Sequence, residues 1–298
     1  MKFCYERGMI IDGKAIAAQI QQEIKTEISQ FLGRIPCLAV ILVGNHLPSQ
    51  IYVQRKTQAC ESVGIRSLKQ HLPAETTEAE LLITLEQLNA DPSVDGILIQ
   101  LPLPPHMNPL TILKCIDPDK DVDGLHPVNA GKLLTGDVSG FVPCTPLGIK
   151  VLLERSGVDV CGKHVLVLGR SNLVGKPMAA LLMQNAKGAN ATVTIAHSYT
   201  KQVKELCLLA DVLIVAMGKA KFITADMVKE GAVVVDVGIN KIDNPVSSQG
   251  YQIVGDVDFP DVKAKCSLIT PVPGGVGPMT IAMLLSNTWK SAKRKLLS

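Results

Sequence analysis

Short apolar runs rich in β-branched residues alternate along the chain with longer segments whose apolar positions recur every three to four residues. The runs read as strands buried on both faces and the longer segments as covering helices, the alternation of a parallel α/β sheet. Ile16, Ile20, Ile24, Ile28 and Leu32 fall at helical spacing and predict a helix over 13–32. Cys37 to Gly44 predicts a buried strand, about Ser49 to Val63 a helix, and Ile65 to Leu72 a strand. Thr76 and Thr77 before the acidic Glu78 and Glu80 open another helix. Asp95 to Gln100 is a buried strand ended by Pro102 and Pro104, and Asn108-Pro109 starts a further helix.

The second half repeats the scheme. His164–Leu168, Ala191–His197, Asp211–Gly218 and Gly231–Gly238 are short strands separated by segments of helical length, as in a doubly wound sheet. Between the halves, Asp117 to Cys144 is rich in Gly, Pro and Asp with weak periodicity and reads as a long loop, after which Thr145-Pro146 caps a helix. Thr270 to Pro278 reads as a rigid loop, and Met279 to Leu297 as an amphipathic helix that needs a partner face in the first domain. The expected organisation is two α/β domains, 1–148 completed by the helix 279–298, and a Rossmann-like 149–278, with a cleft between them. Residues 1–8 precede the first apolar segment and read as an extension.

Composition narrows the function. A chain of 298 residues, 47% hydrophobic, suits two such domains, while 3% aromatic content and a net charge of +3 argue against stacking surfaces for nucleic acid or a polyanion partner. Small molecules are the expected ligands. The eight cysteines are scattered, without a C-x-x-C pair or histidines at ligand spacing, so they read as reduced and mostly buried, and no metal site is expected. No apolar run reaches membrane-spanning length, and no apolar stretch of a secretory signal follows the charged first residues, so the expected location is cytoplasmic, away from membranes.

The candidate chemistry begins at the turn Gly169-Arg170-Ser171-Asn172-Leu173-Val174-Gly175 between strand and helix. The backbone N–H groups that open such a helix, with its dipole, suit a phosphate, and Pro177 in the first turn sacrifices no bond. The turn departs from G-x-G-x-x-G, with Ser171 at the second glycine and Gly175 one residue late, and so also fits an ordinary parallel-sheet turn. Tyr52 and Lys56 share a helix face at i, i+4; by themselves they fit equally a partly buried Tyr beside a solvated Lys. Short-chain dehydrogenases carry the same Y-x-x-x-K, but after an N-terminal Rossmann turn, whereas here the pair precedes the only such turn. Gln100 ends a parallel strand, where ligands bind, and equally suits a cap; Lys120-Asp121-Val122-Asp123-Gly124 is readable as a plain turn. The three glycines between Pro273 and Pro278 bring bare backbone close to a neighbour.

Laid end to end, seven segments resemble the bifunctional methylenetetrahydrofolate dehydrogenase/cyclohydrolase family over nearly the whole length: Ile11 to Lys14, Ser49 to Lys56, Asp95 to Pro104, Lys120 to Gly124, Pro143 to Pro146, Gly169 to Pro177, and Thr270 to Thr280. The resemblance implies NADP-dependent oxidation of 5,10-methylenetetrahydrofolate to the 5,10-methenyl form and hydrolysis to 10-formyltetrahydrofolate. That is one-carbon metabolism feeding purine biosynthesis, by a homodimer joined through the nucleotide domain. It implies that Lys56 is the catalytic residue, with Gln100 bonded to it, Tyr52 packed on the pterin and Asp123 holding the ring. Leu101, Pro273, Gly274 and Gly275 would line the folate pocket. Gly169, Arg170, Ser171 and Gly175 would bind coenzyme phosphate, with Ser198 near the ribose phosphate and Ile239 near the nicotinamide end. Two departures stand out: the segment Gly44 to Ser49, and Tyr199, where the family commonly has Lys or Arg. NADP is favoured over NAD on the residues themselves, because the second strand ends Ile195-Ala196-His197-Ser198 without an acid and Arg170 reaches the same region. Two competing readings are a monofunctional dehydrogenase, which a methenyltetrahydrofolate hydrolysis assay separates, and a non-catalytic nucleotide sensor, marked by coenzyme binding without turnover.

Overall fold

Cys37–Val43 is buried at all seven positions because it is the middle strand of a parallel three-stranded sheet, between Arg66–Leu72 and Gly96–Ile99. The computed structural model describes residues 8–247 and 250–297, so the expected extension of residues 1–8 lies, Gly8 apart, outside the described residues. Two units emerge, one of Ala18–Cys144 with Ile281–Ser298, the other of Met1–Ala17 with Thr145–Thr280.

In the first unit Ala39, Ile41, Ile97 and Ile99 meet Leu81, Leu85 and Leu88 in one core. Leu81, Leu85 and Leu88 belong to the helix Glu78–Ala90, whose start is a full capping box of Thr77 and Glu80. Its other end is closed by a distant side chain: buried Lys120 donates from Nζ to the carbonyls of Leu88 (2.9 Å), Asn89 (2.7 Å) and Asp91 (2.7 Å). Positive charge there complements the helix C-terminus. Lys120→Met keeps the stem and takes the Nζ donor from three carbonyls, of which that of Asp91 keeps the Val94 N–H at 3.2 Å, so we expect it to lower unfolding stability by about 1–3 kcal/mol; a denaturation midpoint equal to the wild type contradicts this.

The same unit takes in most of the C-terminal helix, Val276–Leu297, which begins ahead of its expected start with Pro278 in the first turn. Trp289 Nε1 donates to Glu27 Oε2 at 2.7 Å and its ring meets Phe31 edge-on at 5.0 Å, while Ser291 Oγ donates to the Asp95 carbonyl at 2.7 Å. These contacts supply the partner face that the amphipathic pattern demanded. Two expectations are corrected here. The 117–144 segment is not all loop, since Pro127–Thr135 is a helix capped by His126; its only buried residues are Asn129 and Leu133, too few to show a period. The first helix, Gly13–Ser29, stops before Leu32, which is fully exposed ahead of Gly33.

The second unit holds a six-stranded parallel sheet in the order Met9–Ile10, Leu268–Ile269, Val233–Asp236, Val212–Val215, His164–Leu168, Thr192–Ala196. The chain runs outward from His164–Leu168 in both directions, so this strand marks the switch point at which doubly wound sheets bind ligands. The expected boundary placed residues 1–148 together. Instead, Met9–Ile10 pairs with Leu268–Ile269 and carries the residues up to Ala17 into this unit. A two-residue strand has no periodicity to read. An antiparallel hairpin, Asn240–Asp243 with Tyr251–Val254, also escaped the pattern, being half-exposed and only four residues a side.

Candidate active site

Lys56 sits on the helix Leu47–Val63, which Pro48 starts and Gly64, at φ +87°, ends. The helix buries Ser49, Val53, Cys60 and Val63, and Lys56 falls on that inward stripe, three residues after Val53 and four before Cys60. A lysine among buried positions is a signal the sequence carried. Its Nζ donates to Gln100 Oε1 at 2.9 Å, and Gln100 Nε2 donates to the Leu101 carbonyl at 2.8 Å, which holds the amide with its oxygen toward the lysine. Gln100 is placed by its backbone, whose N–H extends the sheet to the Ile41 carbonyl at 2.9 Å. Tyr52, one turn before Lys56 on the same helix, is 37% exposed.

Burial depresses the Lys56 ammonium below its ordinary value of 10.5, and the carboxylate of Asp123 opposes that shift. The turn that carries Asp123 is built around buried Asp121, which accepts from the backbone N–H of Leu125 (3.1 Å) and His126 (2.8 Å) and from Asn129 Nδ2 (2.8 Å). Burial pushes Asp121 up to about 6, with the charge of Asp123 adding to the shift. Gly124, at φ +73°, completes the turn, since a Cβ there would meet Pro143 N at 2.5 Å. Buried Cys144 bonds to the Val122 carbonyl at 3.3 Å and to Asp123, and burial holds its thiol well above the usual range. Sequence reasoning took it only for a small hydrophobe, although it lies within the matching segment Pro143 to Pro146. Asn287 on the C-terminal helix donates to the Val122 (2.9 Å) and Val142 (3.2 Å) carbonyls, tying down both sides of this corner. Of the residues expected at the substrate, this unit therefore gathers Tyr52, Lys56, Gln100, Leu101 and Asp123.

The remaining expected residues lie in the other unit. Pro273, Gly274 and Gly275 form its Thr270–Pro278 loop, where the Gly274 carbonyl accepts from Lys14 N–H at 3.1 Å. The strand His164–Leu168 leads into Gly169, at φ +123°, where a Cβ would strike the Ala216 carbonyl; its N–H donates to the Ala196 carbonyl at 2.8 Å. Buried Gly175 then starts the helix Gly175–Leu182 with its Cα against the Gly169 carbonyl, leaving no room for a side chain. Ser171 Oγ accepts from Val174 N–H at 3.1 Å and shapes the turn. Arg170 is exposed, its guanidinium 5.6 Å from the centroid of the Tyr199 ring, next to exposed Ser198. Ile239, 56% exposed, projects from the loop after Val233–Asp236. A turn made tight by two glycines at a switch point fits a dinucleotide, whose phosphates need close approach to backbone.

A doubly wound sheet with such a turn, together with a separate α/β unit holding a desolvated lysine, defines a coenzyme-dependent enzyme with its own catalytic unit. Residues 11–123 match the family model for the tetrahydrofolate dehydrogenase/cyclohydrolase catalytic domain, and residues 143–296 that for its NAD(P)-binding domain. A relative from Protochlamydia amoebophila, the bifunctional protein FolD, is 66% identical over 94% of this chain and 96% of its own length. The crystal structure of the bifunctional enzyme FolD from Campylobacter jejuni is 51% identical, covers 96% of this chain and 99% of its own, and has a TM-score of 0.91. The Trypanosoma brucei enzyme, solved with NADP and an inhibitor, is 38% identical with a TM-score of 0.92, over 98% of this chain and 100% of its own. The chain belongs to the tetrahydrofolate dehydrogenase/cyclohydrolase family.

Proposed function

We propose that the protein oxidises 5,10-methylenetetrahydrofolate with NADP and hydrolyses the methenyl product to 10-formyltetrahydrofolate. The observation that carries this reading is the half-buried Lys56, its ammonium destabilised by burial and its Nζ bonded to Gln100. A lysine with a lowered pKa gives up its proton more readily than a solvated one, and hydrolysis requires a group that can take or relay a proton.

NADP, when bound, supplies the hydride acceptor, and Gly169, Arg170, Ser171, Gly175, Ser198 and Ile239 are the residues we assign to holding it. Loss of hydride from the methylene carbon is driven by the flanking nitrogen lone pairs, so this step asks the protein for positioning rather than proton transfer. Tyr52 packs on the pterin, Leu101 lines its pocket and Asp123 holds its ring. In the second step water adds to the cationic methenyl carbon, and Lys56 takes or relays the proton it loses. The bond from that carbon to N5 then breaks, its electron pair stays on N5, which takes up a proton as the new hydroxyl gives one up to become the formyl carbonyl, and the formyl group remains on N10. Gln100 keeps the lysine aimed.

An absorbance assay of methylenetetrahydrofolate with each coenzyme, together with hydrolysis of methenyltetrahydrofolate, tests the reading; oxidation without hydrolysis would leave a monofunctional dehydrogenase. Asp123→Asn should raise the folate KM about 10-fold, because an amide loses the charge-assisted part of its bond to the pterin, while coenzyme KM stays unchanged. Equal weakening of both ligands would make Asp123 a turn residue.

We further read the protein as a cytoplasmic homodimer joined through the nucleotide unit. The strand Thr192–Ala196 is the last of its sheet among the described residues, with Ile195 39% exposed, and a bare sheet edge invites pairing. Among the described residues seven cysteines are free thiols, as a reducing compartment keeps them. Light scattering should give about twice 31.9 kDa; a monomer overturns the dimer reading.

A further inference from the structure

Two buried carboxylates in the nucleotide unit take no part in the chemistry above. Asp256 accepts four hydrogen bonds: Oδ2 from the N–H groups of Met217 (2.7 Å) and Gly218 (2.8 Å), Oδ1 from Lys219 N–H (2.8 Å) and Asn240 Nδ2 (2.8 Å). Asp236 accepts from the N–H groups of Gly238, Asp256 and Val257, each at 2.9 Å. Gly238 and Gly255 make the approach possible, because a Cβ on the first would strike Asp256 Oδ1 and on the second Asp236 Oδ2. Together they bind the loop after Val212–Val215 to the loop after Val233–Asp236, and Ile239 projects from the stretch between the bonded Gly238 and Asn240.

Both loops leave the carboxyl ends of strands on one side of the switch point, whereas Arg170 and Ser198 follow the switch strand itself and the strand on its other side. A dinucleotide lies across that point with one half on each side. We infer that Asp256 is a positioning residue for the nicotinamide half of the coenzyme: it holds the 217–219 backbone directly and, through the Asn240 side chain, the stretch that presents Ile239. The inference rests on the coenzyme reading proposed above. A carboxylate is required because each oxygen faces two donors, so an amide at this position points its NH2 at two other N–H groups whichever way it turns.

The test uses Asp256→Asn in the full chain. We expect the NADP KM to rise about 10-fold, the lower end for losing bonds to an ionised group. Calorimetric binding of 2′,5′-ADP, which lacks the nicotinamide half, should stay within about twofold of the wild type, and hydrolysis of methenyltetrahydrofolate should proceed at the wild-type rate. An unchanged NADP KM, or equal weakening of NADP and 2′,5′-ADP, overturns the inference. Should the variant lose hydrolysis as well, and so its fold, Asn240→Ala decides: it removes one tether and keeps the carboxylate, with an expected loss for NADP of about 2- to 10-fold and none for 2′,5′-ADP. Wild-type NADP binding in that variant overturns the inference. A wild-type protein that binds neither nucleotide removes the coenzyme reading itself, a result distinct from a variant that behaves like the wild type.

Discussion

Lys56→Met is expected to reduce methenyltetrahydrofolate hydrolysis by about 10²- to 10⁴-fold, the range supplied by a positioned acid–base group. Methionine keeps the unbranched stem along the stripe of Ser49, Val53, Cys60 and Val63, so the fold should survive, and thermal unfolding together with coenzyme binding checks that it does. Gln100 loses its donor but stays anchored through Leu101 and Ile41. Oxidation should fall less, since that step moves no proton. In the wild type, hydrolysis should increase with pH through a pKa below 10.5, because burial disfavours the charged amine and the neutral form is the active one. Hydrolysis at the wild-type rate in the methionine variant would reduce Lys56 to a half-buried structural lysine.

Arg170→Ala is expected to lower the preference for NADP over NAD about 10-fold, read as the ratio of kcat/KM values. A guanidinium donating to a phosphate contributes about 1.5–3 kcal/mol, roughly 10- to 150-fold. Arg170 is exposed, which places the effect at the lower end. Tyr199 changes the picture drawn from its lack of charge. Its ring lies 5.6 Å from the Arg170 guanidinium, a contact that at an exposed site is worth about 0.5–1 kcal/mol and holds the arginine at the end of the second strand. Equal kcat/KM for the two coenzymes in the unmutated protein would sink the argument.

Burial periodicity made the sheet strands readable. Cys37–Val43, Gly96–Ile99, Val212–Val215 and Val233–Asp236 are buried at every position and were expected from apolar runs alone. The elements that escaped have little buried surface or little length: the helix Pro127–Thr135, the strand Met9–Ile10 and the hairpin 240–254. At the candidate site, Tyr52 and Lys56 are legible as a pair because they share one helix, and Gln100 because it ends one strand. Cys144, Asp121 and Asp256 are not, for each acts through partners from other segments.

The sequence by itself therefore determined what local spacing encodes: the parallel α/β class, the helix face bearing Lys56, the turn from Gly169 to Gly175 and the apolar stripe of the C-terminal helix. Tertiary structure alone decided that Lys120 caps a helix some thirty residues upstream in the chain, with bonds to Leu88, Asn89 and Asp91. It alone decided that Met9–Ile10 joins a sheet through Leu268–Ile269, and that Asp256 gathers the N–H groups of Met217, Gly218 and Lys219. The reason is physical: a repeat of 2 or 3.6 residues records only which face of one element avoids water, whereas a buried charge must find its donors wherever the folded chain brings them.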